Sequence, residues 1–347
     1  MKRKLSLFLC AALTLSLLAG CGPKTTDNGS ASASGSNSTS QSTSQTNEDR
    51  AKVNLMVLSG PTGVGAAKLL SDNDAGTTLN DYNAEVVTDN SQIQTSLKSG
   101  EVDIAAIATN VAANFAAQTD GSIQMLAVNT LGVLYILDKN VGITSLADLS
   151  GKTIYATGKG ANPEYILNYL LTQNGVDPAS DVTIEWLTAE EVSAKMISSD
   201  SAVCMLPVPA ATALMTKDTA VKQAISLSDA WDELGNGSLA MGCVVARTDF
   251  IEENPQAVAD FLTEYEASIE YMKDEDNVEE ASELVAQYAI TPSAAIAAAA
   301  IPQCNLTFAS GQEMKDLVEG YFSVLFQADP ASIGGGMPYD SFYYGVA

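Results

Sequence analysis

The stretch VNLMVLSGPTGVGAAKLL, residues Val53–Leu70, joins an apolar run to a glycine-rich turn and then to an apparent helix start. The run Val53–Leu58 has the length and the apolar content of a buried strand. Glycine is the residue that tight turns and close backbone approaches favour. The order strand, glycine turn, helix predicts an α/β fold, in which loops at the ends of strands carry the function.

The glycine turn lacks a nucleotide-binding motif. Gly60 and Gly65 have the spacing of a P-loop, but Ala66 and Ala67 stand where that motif needs Lys and Ser or Thr. The dinucleotide pattern G-x-G-x-x-G also fails, because Lys68 stands at the place of its last glycine. The turn therefore either offers backbone N–H groups to another kind of ligand or only starts a helix.

Residues 1–20 predict a signal peptide, with a basic start at Lys2–Lys4 and an apolar run over Leu5–Leu18. The following LAGC, Leu18–Cys21, resembles the lipobox of bacterial lipoproteins. The resemblance implies cleavage before Cys21 and attachment of lipid, such as palmitate, to its thiol. The alternative is an ordinary signal peptide that happens to carry a cysteine there.

The segment that follows, residues 21–49, begins with the lipidated cysteine and continues with Ser, Thr, Asn, Gln and Gly and almost no apolar side chains. Such a composition buries too little surface to offset its ordering entropy, so we expect a disordered tether. No later stretch has the length of a transmembrane helix, and the remaining chain suffices for two ordinary domains.

Charge and the missing histidine exclude several classes of function. The chain has 17 Lys and Arg against 42 Asp and Glu, a net charge of −25, which argues against a nucleic acid or an anionic lipid surface as a partner. It has no His, which excludes His-dependent triads, His-ligated zinc and histidine acid–base catalysis. Cys204, Cys243 and Cys304 lie among apolar neighbours, and we expect small buried side chains there.

Two parts of the chain repeat the same order of elements. In the first, strands are predicted at Ala84–Asp89 and Val102–Ala108, the latter followed by a turn at Thr109 and Asn110 and then by a helix. In the second, strands are predicted at Gly151–Gly158 and Asp181–Leu187. Each part reads strand, loop, helix, strand, helix, strand, turn, which predicts two similar parallel-sheet units.

Several helix starts carry capping signals. Asn162 precedes Pro163 and is predicted as an N-cap. The pairs Thr188–Glu191 and Ser310–Glu313 have the spacing of capping boxes.

These stretches, taken in order, resemble the solute-binding proteins of ABC importers with the type II fold. The similar branch includes binders of nitrate, taurine, alkanesulfonates and thiamine pyrimidine precursors. The stretches that carry the resemblance are GPTGVGAAKLL, LKSGEVDIAAIATNVAA, ITSLADLSGKTIYATGKGANPEYILNYLL, CMLPVPAATAL, NPQAVADFLTEY and IGGGMPYDSFYY.

The resemblance implies an α/β architecture of two doubly wound lobes joined by two hinge crossings. The crossings are expected near Leu126–Leu137 and Ser238–Val245. Lobe one would comprise residues 53–129 and 241–347, and lobe two residues 130–240.

The resemblance also implies a solute cleft where loops leave the carboxyl ends of parallel strands. No catalytic residue, cofactor or metal ligand is expected. The expected ligand-binding residues are Ser59, Gly60, Pro61, Thr62, Gly63, Val64, Thr109, Asn110, Leu131, Gly132, Lys159, Gly160, Asn162, Leu206 and Pro207. For Thr109, Asn110 and Asn162 a turn or cap role is an equal alternative.

The charged residues restrict the class of ligand. Beyond the signal peptide the chain has only Arg50 and Arg247, neither of them in the expected loops, so an Arg-clamped amino acid or phosphate is disfavoured. Hydroxyl, amide and backbone groups with Lys159 suit a sulfonate, a small organic anion or a neutral heterocycle. Tyr135, Tyr155 and Tyr165 are candidates for stacking, or for the core.

The function expected from the resemblance is capture of a small organic solute and its delivery to an ABC permease with its ATPase. The protein would be a monomer, lipid-anchored at the extracytoplasmic face of a bacterial membrane, with no nucleic-acid partner. The alternatives are a sensor or adhesin of the same fold and an extracellular enzyme. The enzyme is the weaker alternative, because the expected loops contain neither a carboxylate pair nor a Ser–Lys dyad.

Overall fold

The structure is a computed structural model that describes residues 50–346. The predicted signal peptide, Cys21 and the tether lie outside the described residues. In the described part no helix is both long and apolar enough to cross a membrane.

The first sheet has six strands in the order β11-β4-β10-β3-β1-β2. Strands β1, β2 and β3 are mutually parallel, whereas β10 runs antiparallel to both of its neighbours, and β11 runs antiparallel to β4. The strands span Lys52–Leu58 (β1), Asp81–Val87 (β2), Ile104–Ala108 (β3), Ile123–Thr130 (β4), Gly242–Arg247 (β10) and Leu306–Ser310 (β11).

The second sheet has five strands in the order β7-β6-β8-β5-β9. Strands β6, β7 and β8 are parallel, and β5 runs antiparallel to β8 and β9. The strands span Leu134–Lys139 (β5), Thr153–Ala156 (β6), Thr183–Trp186 (β7), Ala202–Pro207 (β8) and Val221–Ser226 (β9).

The two sheets share one arrangement. Each sheet contains three parallel strands, and the strand that comes first in the chain, β1 or β6, lies in the middle of the three. The next strand, β10 or β5, is antiparallel and follows directly after the chain has crossed from the other sheet. The chain passes from the first sheet to the second between Thr130 and Leu134 and returns between Ser226 and Gly242. The α/β class and the doubly wound arrangement expected from the sequence are therefore confirmed.

Helices connect the strands and cover the sheets. They span Pro61–Val64 (α1), Ala67–Asp74 (α2), Asn90–Ser99 (α3), Thr109–Gln118 (α4), Asn162–Gln173 (α5), Ala189–Ser198 (α6), Ala210–Lys217 (α7), Leu227–Asp232 (α8), Thr248–Glu253 (α9), Pro255–Lys273 (α10), Val278–Gln287 (α11), Ala294–Ala300 (α12) and Gly311–Ala328 (α13). Short 3₁₀ turns lie at Leu146–Leu149, Glu275–Asn277, Ile301–Gln303, Pro330–Ile333 and Asp340–Phe342.

The core forms where the apolar strands meet these helices. All five residues of β3 are buried, as a strand covered by helices on both faces requires. Cys204, Cys243 and Cys304 are free and buried, which confirms their expected role as small core side chains. Burial raises the pKa of the Cys304 thiol to about 12 and those of the other two thiols further, so all three stay protonated.

One of the three predicted helix caps is confirmed and two are wrong. Thr188 and Glu191 form the predicted capping box: the Thr188 N–H donates to Glu191 at 2.9 Å, and the Glu191 N–H donates to Thr188 Oγ1 at 3.2 Å. Ser310 precedes α13 but makes no side-chain capping bond, so that predicted box is wrong. Asn162 is not an N-cap either, because Ala161 holds that position and Asn162 is already helical.

Candidate functional site

A cleft of about 1030 Å³ lies between the two sheets, at the carboxyl ends of their parallel strands. The first sheet contributes Ser59–Pro61 after β1 and Thr88–Asp89 after β2, and the segment between α11 and α12 adds Ala289–Pro292. The second sheet contributes residues at the ends of β6, β7 and β8. These are Thr157, Lys159, Trp186, Leu187, Thr188, Ala189, Glu190, Glu191, Pro207, Val208, Pro209, Ala210 and Ala213. Five strand ends thus converge on one concave space, the place where α/β sheets bind ligands.

Five of the predicted site residues line this cleft: Ser59, Gly60, Pro61, Lys159 and Pro207. The turn after β1 is fixed to the rest of the protein by its own N–H groups. Ser59 donates its N–H to the Val87 carbonyl at 2.7 Å, and Gly60 donates to the Ile290 carbonyl at 3.1 Å. Gly60 has a φ of +86°, a conformation that favours glycine. The turn therefore presents its surface to the cleft, but these two N–H groups are already used.

Thr62, Gly63 and Val64 form α1 and are buried beneath the cleft wall. Gly63 has the protein itself as its close neighbour, so its lack of a side chain serves the packing of the fold. A Cβ at this position would lie 2.3 Å from the Leu58 carbonyl oxygen and 3.0 Å from Val57. The glycine allows α1 to fold back on the strand that precedes it.

Thr109 and Asn110 do not form a turn; they are the first two residues of α4, which starts directly at the end of β3. Both are fully buried. Thr109 Oγ1 donates to the Ala240 carbonyl, and Asn110 Nδ2 donates to the Ser332 carbonyl at 3.3 Å. These side chains connect α4 to the returning chain and to the C-terminal part, and they are absent from the cleft lining.

Asn162 reaches Thr109, Asn110 and the returning chain from the second sheet's side. Its Nδ2 donates to the Met241 carbonyl at 2.6 Å and to Thr109 Oγ1 at 3.2 Å. Its Oδ1 accepts from the Asn110 N–H at 3.3 Å and from the Tyr321 hydroxyl at 2.9 Å. Burial raises the pKa of Tyr321 well above its ordinary value, so the hydroxyl remains a donor.

The other four predicted residues lie away from the cleft lining. Leu131 donates its N–H to the Asn305 carbonyl at 3.0 Å, and Gly132 packs against Ser228 and Leu239 at the first passage between the sheets. Gly160 donates its N–H to Glu164 at 2.6 Å, and Leu206 is fully buried in β8.

Several cleft residues were not predicted from the sequence. Thr88 and Asp89 follow β2, and Trp186 with residues 187–191 follows β7. Both stretches follow the carboxyl ends of parallel strands and are therefore identified by the strand-end rule, whereas the loops predicted from the sequence follow β1, β3, β6 and β8. The aromatic side chain in the cleft is Trp186 rather than Tyr135, Tyr155 or Tyr165, which do not line it.

Charged groups in the cleft comprise Lys159, Asp89, Glu190 and Glu191. Two of the carboxylates already cap helices: Asp89 accepts from the Ser91 N–H at 2.8 Å, and the Thr188 N–H holds the pKa of Glu191 below its ordinary value. The cleft lining contains no arginine. Arg247 lies in another cavity, of about 800 Å³, at the opposite end of the first sheet, where it pairs with Asp103 at 2.9 Å.

Comparisons with known proteins agree with this architecture. Residues 122–277 match the model of the NMT1/THI5 like family. An ABC transporter structure from Parabacteroides distasonis is 22% identical, with a TM-score of 0.70 over 84% of this chain and 98% of that one. The periplasmic aliphatic sulphonate binding protein SsuA from Escherichia coli is 16% identical, with a TM-score of 0.65 over 82% and 94%. The periplasmic nitrate-binding protein NrtA from Synechocystis PCC 6803 is 17% identical, with a TM-score of 0.53 over 69% and 66%.

A comparison with curated protein sequences found no significant match. The resemblance drawn from the sequence is therefore confirmed at the level of the fold: the described chain has the two-sheet α/β architecture of periplasmic solute-binding proteins.

Proposed function

We propose that the protein is an extracytoplasmic solute-binding lipoprotein that captures a small organic solute and delivers it to an ABC permease with its ATPase. The observation that carries the proposal is the cleft, to which both sheets contribute a wall through the carboxyl ends of their parallel strands. Structural neighbours named as sulphonate- and nitrate-binding proteins support the same function.

The proposal includes two lobes that move about the two passages between the sheets. Lobe one comprises residues 53–129 and 241–347, and lobe two comprises residues 130–240. The first sheet draws its strands from both ends of the described chain and the second from one continuous stretch, which supports this division. Two connections allow the lobes to pivot and to enclose a solute that contacts both walls.

The proposed solute is a sulfonate, a small organic anion or a heterocycle. Lys159 provides one cation in the cleft, Thr88, Thr157, Thr188 and Thr291 provide hydroxyls, and Trp186 with four prolines provides apolar surface. The absence of arginine from the lining disfavours a ligand that needs a bidentate clamp, such as a phosphate.

The proposal is tested with a solute panel. Sulfonates, nitrate, pyrimidines, flavins and small carboxylates are each added to the chain that starts at Gly22, and the melting temperature is recorded. A true solute stabilises the native state by about 2.7 kcal/mol at a hundredfold excess over Kd. Mass spectrometry of the recovered solute then separates binding from an enzymatic reaction, because a chemically altered product would replace this proposal with the enzyme alternative.

The lipid anchor is tested separately. Cys21→Ser removes the thiol that would carry the lipid, so we expect the exported protein to appear in the medium or the soluble fraction instead of the washed membranes. Equal membrane retention of the variant and the parent would contradict the anchor.

A further inference from the structure

The Asn162 side chain makes all of its hydrogen bonds with residues on the first sheet's side of the molecule. Its two N–H donors reach Met241 and Thr109, and its oxygen accepts from Asn110 and Tyr321. The residue is 1% exposed, although it is polar and is the first residue of α5, which follows β6.

We propose that Asn162 is a clasp: a positioning residue that holds the two sheets in a closed arrangement before any solute binds. This inference rests on the two movable lobes of the function proposed above. The clasp differs from both roles predicted for Asn162 from the sequence, a ligand contact and a helix cap.

The partners of Asn162 favour this role. They come from three separate elements on the first sheet's side, namely the start of α4, the chain that returns into β10, and α13. A side chain that only stabilised its own helix would bond within a few residues, whereas these partners lie 52 to 159 residues away. In the proposed division Asn162 belongs to lobe two and its four partners to lobe one, so these bonds cross the boundary between the lobes.

The chemistry of the contact suits repeated opening and closing. Every partner is a neutral amide, carbonyl or hydroxyl group, and water can replace each bond when the surfaces part. Neutral hydrogen bonds contribute little net free energy each for this reason, so the clasp shifts the balance between closed and open forms without locking it. We expect its loss to change the closed-to-open ratio roughly tenfold, the effect of one or two such bonds.

The experiment measures the distance across the cleft without solute. Nitroxide labels are attached at Gln92→Cys on α3 and Ala194→Cys on α6, two exposed positions on opposite sides, in the chain that starts at Gly22. The three remaining native cysteines are buried and should not label. The label distance distribution is recorded for the parent, for Asn162→Asp and for Asn168→Ala, a control on the same helix whose side chain makes no hydrogen bond among the described residues.

The expected result is a longer or broader distance for Asn162→Asp, because a carboxylate cannot donate to the Met241 carbonyl and would repel it. The control should match the parent, and the melting temperatures of all three should stay within a few degrees. Asn162→Ser, which cannot span the four contacts, should open in the same way. An unchanged distance in a folded Asn162 variant would overturn the clasp. So would a cooperative loss of the folded state in both variants, which would make Asn162 an internal fold residue. The solute panel is read independently, so a failed clasp leaves solute capture standing and a failed panel leaves the clasp standing.

Discussion

Lys139 is a buried cation whose partners are fully defined. Its Nζ lies 2.7 Å from Asp218 and donates to the Met196 and Ile197 carbonyls at 3.0 and 3.2 Å. The hydrogen bond from Lys139 holds the pKa of Asp218 below its ordinary value. A charge in this position is stable only while its partner is ionised, so the pair links β5 to the end of α7 in a pH-dependent way.

We predict that Asp218→Asn lowers the melting temperature at pH 7 and that the difference disappears in acid. A carboxyl whose folded pKa is depressed contributes stability above its ordinary pKa and loses that contribution as pH falls through the folded pKa. The gap between variant and parent should therefore shrink below about pH 4. Glu185→Gln, which breaks an exposed pair with Lys195, is the control and should have little effect at either pH. A gap of equal size at pH 7 and pH 2.5 would contradict the prediction.

At the level of elements, the packing of α1 against β1 depends on one glycine, Gly63. Gly63 packs against Leu58 and Val57 of the preceding strand and against Ile290, so any side chain would force this turn away from β1. Gly320 offers the opposite case, because it lies exposed inside α13 with nothing within 4 Å of an added Cβ.

Gly63→Ala should destabilise the protein by about 2 to 3 kcal/mol, the cost of overpacking a filled core. Gly320→Ala should stabilise it by up to ~1 kcal/mol, since alanine is the better helix former. Chemical denaturation of both variants measures the two free energies of unfolding. Equal effects of the two substitutions would show that the space around Gly63 is not limiting.

The sequence predicted the strands and helices better than it predicted the residues of the cleft. Strands such as β1 and β3 carry a continuous apolar signal, and Thr188 with Glu191 marks a helix start through local chemistry alone. Asn162 carries equally clear local signals for a cap, yet its side chain bonds to residues more than fifty positions away. Partners at such separations follow from how the two sheets meet, which no local pattern contains.

For the whole molecule, charge is the dominant global property. A net charge of −25 on 347 residues places many carboxylates within a Debye length of one another at low salt. This repulsion opposes compaction in the native state more than in the extended chain.

We therefore predict that the melting temperature rises by several degrees between 10 and 300 mM NaCl, over which the screening length falls from about 30 Å to less than 10 Å. KCl should act identically, since screening depends on ionic strength. A melting temperature that stays flat or falls with salt would show that local ion pairs, such as Arg247 with Asp103, outweigh the global repulsion.

The interleaving of β10 between β3 and β4 has a consequence for the order in which the chain folds. During synthesis β1 to β4 emerge first, but their sheet stays incomplete until residues 242–247 arrive, and its edge waits for β11. The second sheet needs only the continuous stretch Leu134–Ser226 and depends on contacts closer in sequence, which form faster. The second sheet is thus expected to fold first, while β1 to β4, although made earlier, wait as a partly assembled sheet exposed to chaperones and proteases.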